Sequence, residues 1–332
     1  MICTDLDFLK SDSFLIPLGI PSETELEFSL LGQGEYNLNY SFIHPITGQK
    51  LVLRINTGSQ MHLDDQIGYE YAALQCLAAS GRTPKPVCCW PEQKMLVMEW
   101  LPGRALQYET DLDTAARILA DIHSVPVPEN CPLLRPAHPA QAIYEECLQM
   151  VQYYYDWESA DPTVVGLLQQ LVEEIGELPL TESSVGPLCM VNTELNSGNF
   201  LIDPDGQSHL VDWEKPLLSE PAQDLGHFLA PTTTFWKTDV ILTPEQVKSF
   251  AKKYEEAVAG RFDCSTLPQR LGLYFTVTCL RGVTWCAMAY REYCQPGREL
   301  RNEDTFRKLK AYLDPDFLRN ILENYVRKDL LA

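Results

Sequence analysis

Apolar and polar residues alternate with a period of two in the first part of the chain, a pattern typical of β-strands. Leu38, Tyr40 and Phe42 alternate with other residues, residues 45–48 (Pro-Ile-Thr-Gly) predict a turn, and residues 51–55 form a mostly apolar run. Strands are predicted within residues 26–55, at 84–90 and at 94–100. This part of the chain is therefore expected to form a small antiparallel sheet.

A helical period first occurs between residues 62 and 80 and returns after Pro102-Gly103. Ile67, Tyr71, Leu74 and Ala78 share one face of the first predicted helix. Further helices are predicted at residues 111–124, 139–157, 162–177, 244–259, 267–293 and 302–327. The pattern indicates an α+β protein with a sheet lobe at residues 1–100 and a larger, mainly helical lobe at residues 101–332.

Composition and charge narrow the possible partners. The net charge of −20 argues against nucleic acid and anionic membrane surfaces. Eleven cysteines without Cys-x-x-Cys spacing predict neither a zinc site nor a disulfide framework, so reduced thiols in a cytoplasmic protein are expected.

The N-terminus, MICTDLDFLK, is acidic where a signal peptide is basic. Residues 271–290 are apolar, but Arg281 at their centre favours a buried helix over a membrane span.

A hairpin between residues 199 and 212 carries the first candidate chemistry. Two short apolar runs, residues 200–202 and 209–211, surround the turn sequence Asp203-Pro204-Asp205-Gly206. The residues before the first strand and after the second lie at the same end of a hairpin, and these are Asn199 and Asp212. Their amide and carboxylate oxygens suit a hard cation such as Mg²⁺.

Two more features lie in the predicted sheet lobe. Gly32 and Gly34, in the sequence LLGQGEYNLNY, predict a turn whose backbone N–H groups can approach phosphate oxygens, although a plain hairpin turn gives the same pattern. Arg54 interrupts an apolar strand, and Glu70 lies on the apolar face of the following helix. Burial of either charge alone is costly, so we expect the two to pair, either as a structural salt bridge or as a phosphate-binding pair.

The order of these parts along the chain resembles that of the aminoglycoside phosphotransferase and choline kinase-like family. The catalytic loop of that family commonly has the sequence His-Gly-Asp-x-x-x-x-Asn, and here residues 192–199, NTELNSGN, stand at those positions. Asp212, in LVDWE, matches the metal-binding Asp, and Asp224, in EPAQDLG, matches an Asp that braces the loop. The resemblance extends from about Leu30 to Gly226.

The resemblance implies a two-lobed protein-kinase-like fold and phosphoryl transfer from ATP, or alternatively GTP, to a small-molecule hydroxyl. Glu194 would orient the acceptor hydroxyl, and Asn199 and Asp212 would hold Mg²⁺. The residues that it implies for the nucleotide are Gly32, Gly34, Arg54, Glu70 and, at the connector whose backbone should hold adenine, Glu99. A cationic amino-alcohol or an aminoglycoside-like compound is the suggested acceptor, since aromatic side chains and acidic neighbours could bind a cation.

Two departures from the family pattern leave the function open. Glu194 replaces the loop Asp, and Asn192 replaces the His. Glutamate has a similar intrinsic pKa to aspartate but is one methylene longer, and positioning dominates phosphoryl transfer. The alternatives are a nucleotide-binding regulatory or scaffold protein without transfer activity, and an unrelated helical binding protein.

Overall fold

The computed structural model describes residues 6–34, 36–183, 186–295 and 302–328. By internal contacts the chain divides into two units. The first comprises the described residues within Met1–Leu106, Val125–Leu134 and Asn199–Pro216, and the second comprises those within Gln107–Ser124, Arg135–Gly198 and Leu217–Ala332. The hairpin that carries Asn199 and Asp212 thus groups with the sheet-containing first unit, while the lobe boundary at residue 100 stays a prediction.

The first unit is built on an antiparallel five-stranded sheet with the strand order β1-β2-β3-β5-β4. Its strands are β1 (Ser29–Gln33), β2 (Asn37–Ile43), β3 (Lys50–Asn56), β4 (Pro86–Trp90) and β5 (Met95–Glu99). Helices α1 (Leu6–Leu9) and α2 (Asp12–Leu15) precede the sheet, and α3 (Gln66–Leu77) lies between β3 and β4 in the chain. A second, three-stranded sheet has the order β6-β8-β9, with β6 at Arg104–Ala105, β8 at Phe200–Ile202 and β9 at His209–Leu210.

The alternation along β3 separates the core of the first unit from its polar face. Leu51, Leu53 and Ile55 are buried in a cluster with Phe14 and Leu15 of helix α2. Because successive side chains of a strand point to opposite faces, the intervening residues of β3 lie on the other face. That face carries the functional candidates described below.

Helices dominate the second unit. They are α4 (Leu112–His123), α5 (Pro139–Tyr155), α6 (Pro162–Gly176), α7 (Pro221–Leu229), α8 (Pro231–Lys237), α9 (Pro244–Val258), α10 (Leu267–Cys294), α11 (Glu303–Tyr312) and α12 (Pro315–Ile321), followed by a π-helical turn at Leu322–Val326. A short antiparallel pair joins β7 (Cys189–Val191) to β10 (Leu217–Ser219). The sequence did not indicate α7, α8, β7 or β10, all of which are short.

The single helix predicted over residues 302–327 is wrong, because the chain breaks between α11 and α12. Pro315 has no N–H with which to continue a helix and disfavours helical backbone at the preceding residue. Asp314 is extended at ψ 126°, and its side chain accepts hydrogen bonds from the N–H groups of Asp316 and Phe317. The Asp-Pro pair therefore begins a new helix.

Helix α10 is a core helix, as predicted. It has the length and composition to cross a membrane, but 67% of its most apolar window is buried inside the protein. Its central Arg281 donates from Nε to Glu146 Oε2 on α5 at 3.0 Å. Burial against the rest of the protein explains the apolar run, and the ion pair with Glu146 explains how the run can contain Arg281.

Helices α7 and α10 pack together closely at Gly226. A Cβ atom at Gly226 would lie 2.6 Å from the backbone nitrogen of Phe275 and 2.7 Å from the carbonyl carbon of Tyr274. We expect Gly226→Ala to destabilise the protein by about 1–3 kcal/mol, because the methyl group would overpack this contact. Urea unfolding measures the change.

Gly166→Ala is the matched control. Gly166 also lies within a helix, α6, but beyond the backbone of that helix no atom of the described residues would lie within 4 Å of a Cβ atom there. The higher helix propensity of alanine should stabilise this variant by about 0.5–1 kcal/mol. If Gly226→Ala were as stable as Gly166→Ala, the close approach of α7 and α10 would carry no energetic constraint.

Candidate active site

Arg54 is a buried cation shared by three elements of the first unit. It lies on β3 and is only 6% exposed. Its Nη1 donates to Glu70 Oε1 on α3 at 2.6 Å and to Asp212 Oδ1 at 3.1 Å. Its Nε donates to Asn39 Oδ1 on β2 at 3.1 Å. The expected pairing of Arg54 with Glu70 is confirmed, and Asp212 is a second partner that the sequence did not indicate.

Burial and neighbouring charges shift the pKa values of Arg54 and Glu70. Burial lowers the pKa of Arg54, but Glu70, Asp212 and Glu214 together raise it above its ordinary value. Burial also raises the pKa of Glu70, Asp212 raises it further, and Arg54 only partly offsets both. Three carboxylates thus act on one guanidinium, and an additional cation beside them would be favourable.

The predicted hairpin forms, and its open end brings Asn199 next to the chain that leads into Asp212. Phe200 pairs with Leu210 and Leu201 pairs with His209. The Val211 N–H donates to the Asn199 carbonyl oxygen at 2.8 Å, which makes it the last ladder bond before Asp212. The two predicted metal ligands therefore lie at the same end of the hairpin.

The local geometry at this end suits a hard divalent cation. Asp212 has a left-handed backbone with φ 67°, and its side chain is 36% exposed although it is bonded to Arg54. Asp is among the few non-glycine residues that adopt this conformation, which recurs at functional sites. Within the described part of the chain, the buried Oε2 atom of Glu70 has no hydrogen-bond partner. Oxygen donors with spare acceptor capacity fit Mg²⁺.

The glycine-rich turn leaves its backbone accessible. Every residue of β1 is exposed, and β1 pairs with β2 through Gly32 and Asn39. Among the described residues other than its chain neighbours, no atom would lie within 4 Å of a Cβ atom at Gly32, and the Gly34 N–H donates to the Asn37 carbonyl at 2.8 Å. Packing within the protein therefore does not demand glycine at position 32. Contact of Gly32 and Gly34 with phosphates stays a prediction, and Glu35 lies outside the described residues.

Glu99 lies at the end of β5, and part of its backbone is already engaged. Its N–H donates to the Lys85 carbonyl oxygen at 2.9 Å. Its Oε2 accepts from the Lys85 N–H at 3.4 Å. An adenine held at this connector would have to use backbone groups other than the Glu99 N–H.

In the second unit, Asp224 on α7 holds the loop that carries Glu194. Asp224 is fully buried, and its two carboxylate oxygens accept from the N–H groups of Asn192 and Thr193, each at 2.8 Å. Thr193 has a left-handed backbone with φ 69°. The Asn192 Oδ1 atom accepts from the Glu194 N–H at 3.2 Å. This arrangement places the partly exposed Glu194 on a loop with a fixed backbone.

His123 is part of the same buried network. Its Nε2 lies 3.2 Å from Asp224 Oδ2, and its Nδ1 lies 2.8 Å from the Tyr254 hydroxyl on α9. The sequence indicated a histidine that forms hydrogen bonds near the end of α4. The partners are distant in the chain, and no local signal could have identified them.

Arg281 is a cation on which Glu194 acts electrostatically. Burial lowers the pKa of Arg281, while Glu146, followed by Glu194 and Cys147, raises it overall. The Glu194 carboxylate therefore lies in an environment that includes a positive charge from α10. The sequence indicated that the helix around Arg281 is buried but did not relate Arg281 to the loop that carries Glu194.

The fold is the two-lobed α+β fold of protein-kinase-like enzymes, as predicted, and solved structures confirm it. The choline kinase of Cryptosporidium parvum matches with a TM-score of 0.63 and 10% identity over 98% of this chain and 97% of that chain. The ethanolamine kinase of Plasmodium vivax matches with a TM-score of 0.61 and 17% identity over 89% and 83%. A spectinomycin phosphotransferase, solved with ADP and spectinomycin, matches with a TM-score of 0.60 and 14% identity over 89% and 91%.

The chain belongs to the phosphotransferase enzyme family, whose family model matches residues 27–263. This match covers the sheet, the hairpin, the loop of Glu194 and Asp224. It confirms the family predicted from the sequence and the enzyme class, a phosphotransferase. The alternative of an unrelated helical binding protein is wrong.

We expect Asp224→Asn to destabilise the protein by about 2–3 kcal/mol, because an amide nitrogen would face one of the two backbone N–H groups that now donate to carboxylate oxygens. Chemical denaturation measures this loss. Asp239→Asn is the control, since Asp239 accepts from Lys308 Nζ with a side chain that is 92% exposed. An exposed ion pair contributes little, so that variant should unfold like the wild type. Equal stability of the two variants would contradict the bracing role of Asp224.

Proposed function

We propose that this protein transfers the γ-phosphate of ATP, with GTP as an alternative donor, to a hydroxyl of a small molecule. The observation that carries the proposal is the shared position of Arg54 between Glu70 and Asp212. A buried guanidinium next to a partly exposed carboxylate offers both a phosphate-binding cation and a metal-binding anion in one place. Membership of the phosphotransferase family supports the same reaction.

In this proposal, the first unit binds the nucleotide. Arg54 would contact phosphate oxygens while Glu70 holds its guanidinium in place, and the turn at Gly32 and Gly34 would cover the phosphates. Asn199 and Asp212 would hold Mg²⁺, with the adenine at the connector near Glu99. Magnesium would supply positive charge that neutralises the phosphate oxygens and orients them.

Glu194 in the second unit would orient the acceptor hydroxyl and accept its proton. The hydrogen bonds from the loop to Asp224 and Asn192 keep the backbone of Glu194 in one position before substrate binds. Such preorganisation is what positioning catalysis requires. A carboxylate is retained at this position, so the chemistry of a general base is retained as well.

The acceptor proposed is a cationic amino-alcohol or an aminoglycoside-like compound. The similar structures include ethanolamine and choline kinases and a spectinomycin phosphotransferase. The net charge of −20 favours the encounter with a cation. A cytoplasmic location, where ATP is available, is part of the same proposal.

A second candidate function is nucleotide binding without transfer, in a regulatory or scaffold role. The replacement of the loop Asp by Glu194 and of the loop His by Asn192 favours it. A titration with Mg²⁺ and a non-hydrolysable ATP analogue, followed by a screen of amino-alcohols, sugars and aminoglycosides for phosphorylated product, separates the two functions. Binding without any product supports the second, and binding with product supports the first.

We expect Asp212→Asn to lower kcat by roughly 1,000-fold, because the loss of a metal-binding carboxylate removes several kcal/mol of charge stabilisation. Steady-state kinetics with the acceptor found in the screen measure kcat. The control is Asp205→Asn, an exposed residue in the turn at the other end of the same hairpin. Full activity of Asp212→Asn would contradict the proposed metal site.

A further inference from the structure

Three buried amide side chains connect the glycine-rich turn to the acidic end of the hairpin. Asn37, Asn56 and Gln66 are each 6% exposed and all belong to the first unit. Burial of an amide is costly unless its donors and acceptors are paired. The hydrogen bonds of these amides determine which side of each side chain carries the oxygen and which carries the NH₂ group.

Asn56 acts only as a donor toward this region. Its Nδ2 donates to the carbonyl oxygens of Tyr36 at 3.2 Å and Gly58 at 2.7 Å, and to Asn37 Oδ1 at 3.0 Å. Backbone carbonyl oxygens can only accept, so the NH₂ group of Asn56 must face them. Asn37 therefore has to present its oxygen to Asn56.

This constraint directs the Asn37 NH₂ group to Glu214. With its oxygen bonded to Asn56, the Nδ2 of Asn37 donates to Glu214 Oε2. A hydrogen bond to an ionised carboxylate is among the stronger kinds. Glu214 follows Asp212 by two residues, so the bond connects the turn to the hairpin end that carries the proposed metal ligands.

Gln66 holds the backbone of the same residue. Its Nε2 donates to the Glu214 carbonyl oxygen at 2.6 Å, and its Oε1 accepts from the Ser59 hydroxyl at 2.6 Å. The position of Glu214 is thus set at its backbone by the start of α3, independently of Asn37. Glu214 can therefore serve as a fixed point to which Asn37 is attached.

We propose that Asn37 is a positioning residue that holds the turn at Gly32 and Gly34 in register with the metal-binding end of the hairpin. The inference rests on the proposed function, in which that turn covers the nucleotide phosphates. The Gly34 N–H donates to the Asn37 carbonyl, while β1 is exposed along its whole length. The turn is therefore held by the ladder between β1 and β2 and, at its Asn37 end, by the bond to Glu214.

The test variant is Asn37→Asp, which keeps the shape of the side chain but places a carboxylate against the Glu214 carboxylate. We expect the Kd for a non-hydrolysable ATP analogue with Mg²⁺ to rise by about 10- to 100-fold, the equivalent of losing one hydrogen bond to a charged group. Isothermal titration calorimetry measures the Kd. Thermal unfolding without nucleotide shows whether the variant is folded.

A second substitution tests the mechanism by rescue. In Asn37→Asp/Glu214→Gln, the Gln amide can donate to one carboxylate oxygen while the other still accepts from Asn56. Measured against Glu214→Gln alone, the additional Asn37→Asp change should therefore raise the Kd by less than about threefold, since a coupled pair is not additive. Asn37→Ser, which removes the bond without adding charge, should also raise the Kd.

Asn39→Asp is the matched control for added negative charge. Asn39 lies two residues along β2 on the same face and accepts from Arg54 rather than contacting Glu214. The rise in Kd that Asn39→Asp causes should depend on Glu214→Gln far less than the rise that Asn37→Asp causes. An Asn37→Asp penalty that Glu214→Gln does not reduce, or a loss of thermal stability with unchanged Kd, would overturn the role of Asn37. A wild-type protein that binds no nucleotide would overturn the proposed function itself, and this role with it.

Discussion

The organisation of the first unit depends on the burial of a single guanidinium. An unpaired Arg54 on an inner strand would be too costly, and three neighbouring elements provide partners for it. Strand β2 provides Asn39, helix α3 provides Glu70, and the hairpin provides Asp212. Removal of any partner would leave part of the guanidinium unsatisfied. The same bonds that satisfy the cation thereby fix the position of the proposed metal ligand.

In the second unit, a buried charge is stabilised by backbone groups rather than by an opposite charge. Asp224 is fully buried, and its carboxylate accepts from the backbone N–H groups of Asn192 and Thr193 and contacts His123. Backbone N–H groups are dipoles without net charge, so this arrangement holds a loop rather than neutralising a cation. In the first unit buried charge brings together the residues of the proposed nucleotide site, whereas in the second it fixes the backbone from which Glu194 extends.

The sequence predicted what depends on local patterns. Periodicity predicted most strands and the long helices, and turn residues predicted the 199–212 hairpin. The Arg54–Glu70 pair followed from the cost of two opposite charges at apolar positions. The contacts of Asn37 with Glu214 and of His123 with Tyr254 join residues more than 100 positions apart, and no periodic or turn signal encodes such pairing. The Asp314-Pro315 pair is a local signal for the start of a new helix, but the helical apolar pattern continues on both sides of it, so one helix was predicted.

The fixed backbone of the loop at residues 192–194 determines what the extra methylene of Glu194 changes. Because the N–H groups of Asn192 and Thr193 are held by Asp224, and that of Glu194 by Asn192, the loop backbone has little freedom to retreat. The longer side chain must therefore either adopt a bent conformation or place its carboxylate farther from the loop backbone. Since Arg281 responds to its charge, the carboxylate is also in an electrostatic environment set by α10. In the proposed reaction, the replacement would alter where an acceptor hydroxyl must lie, while a carboxylate would still be present to receive its proton.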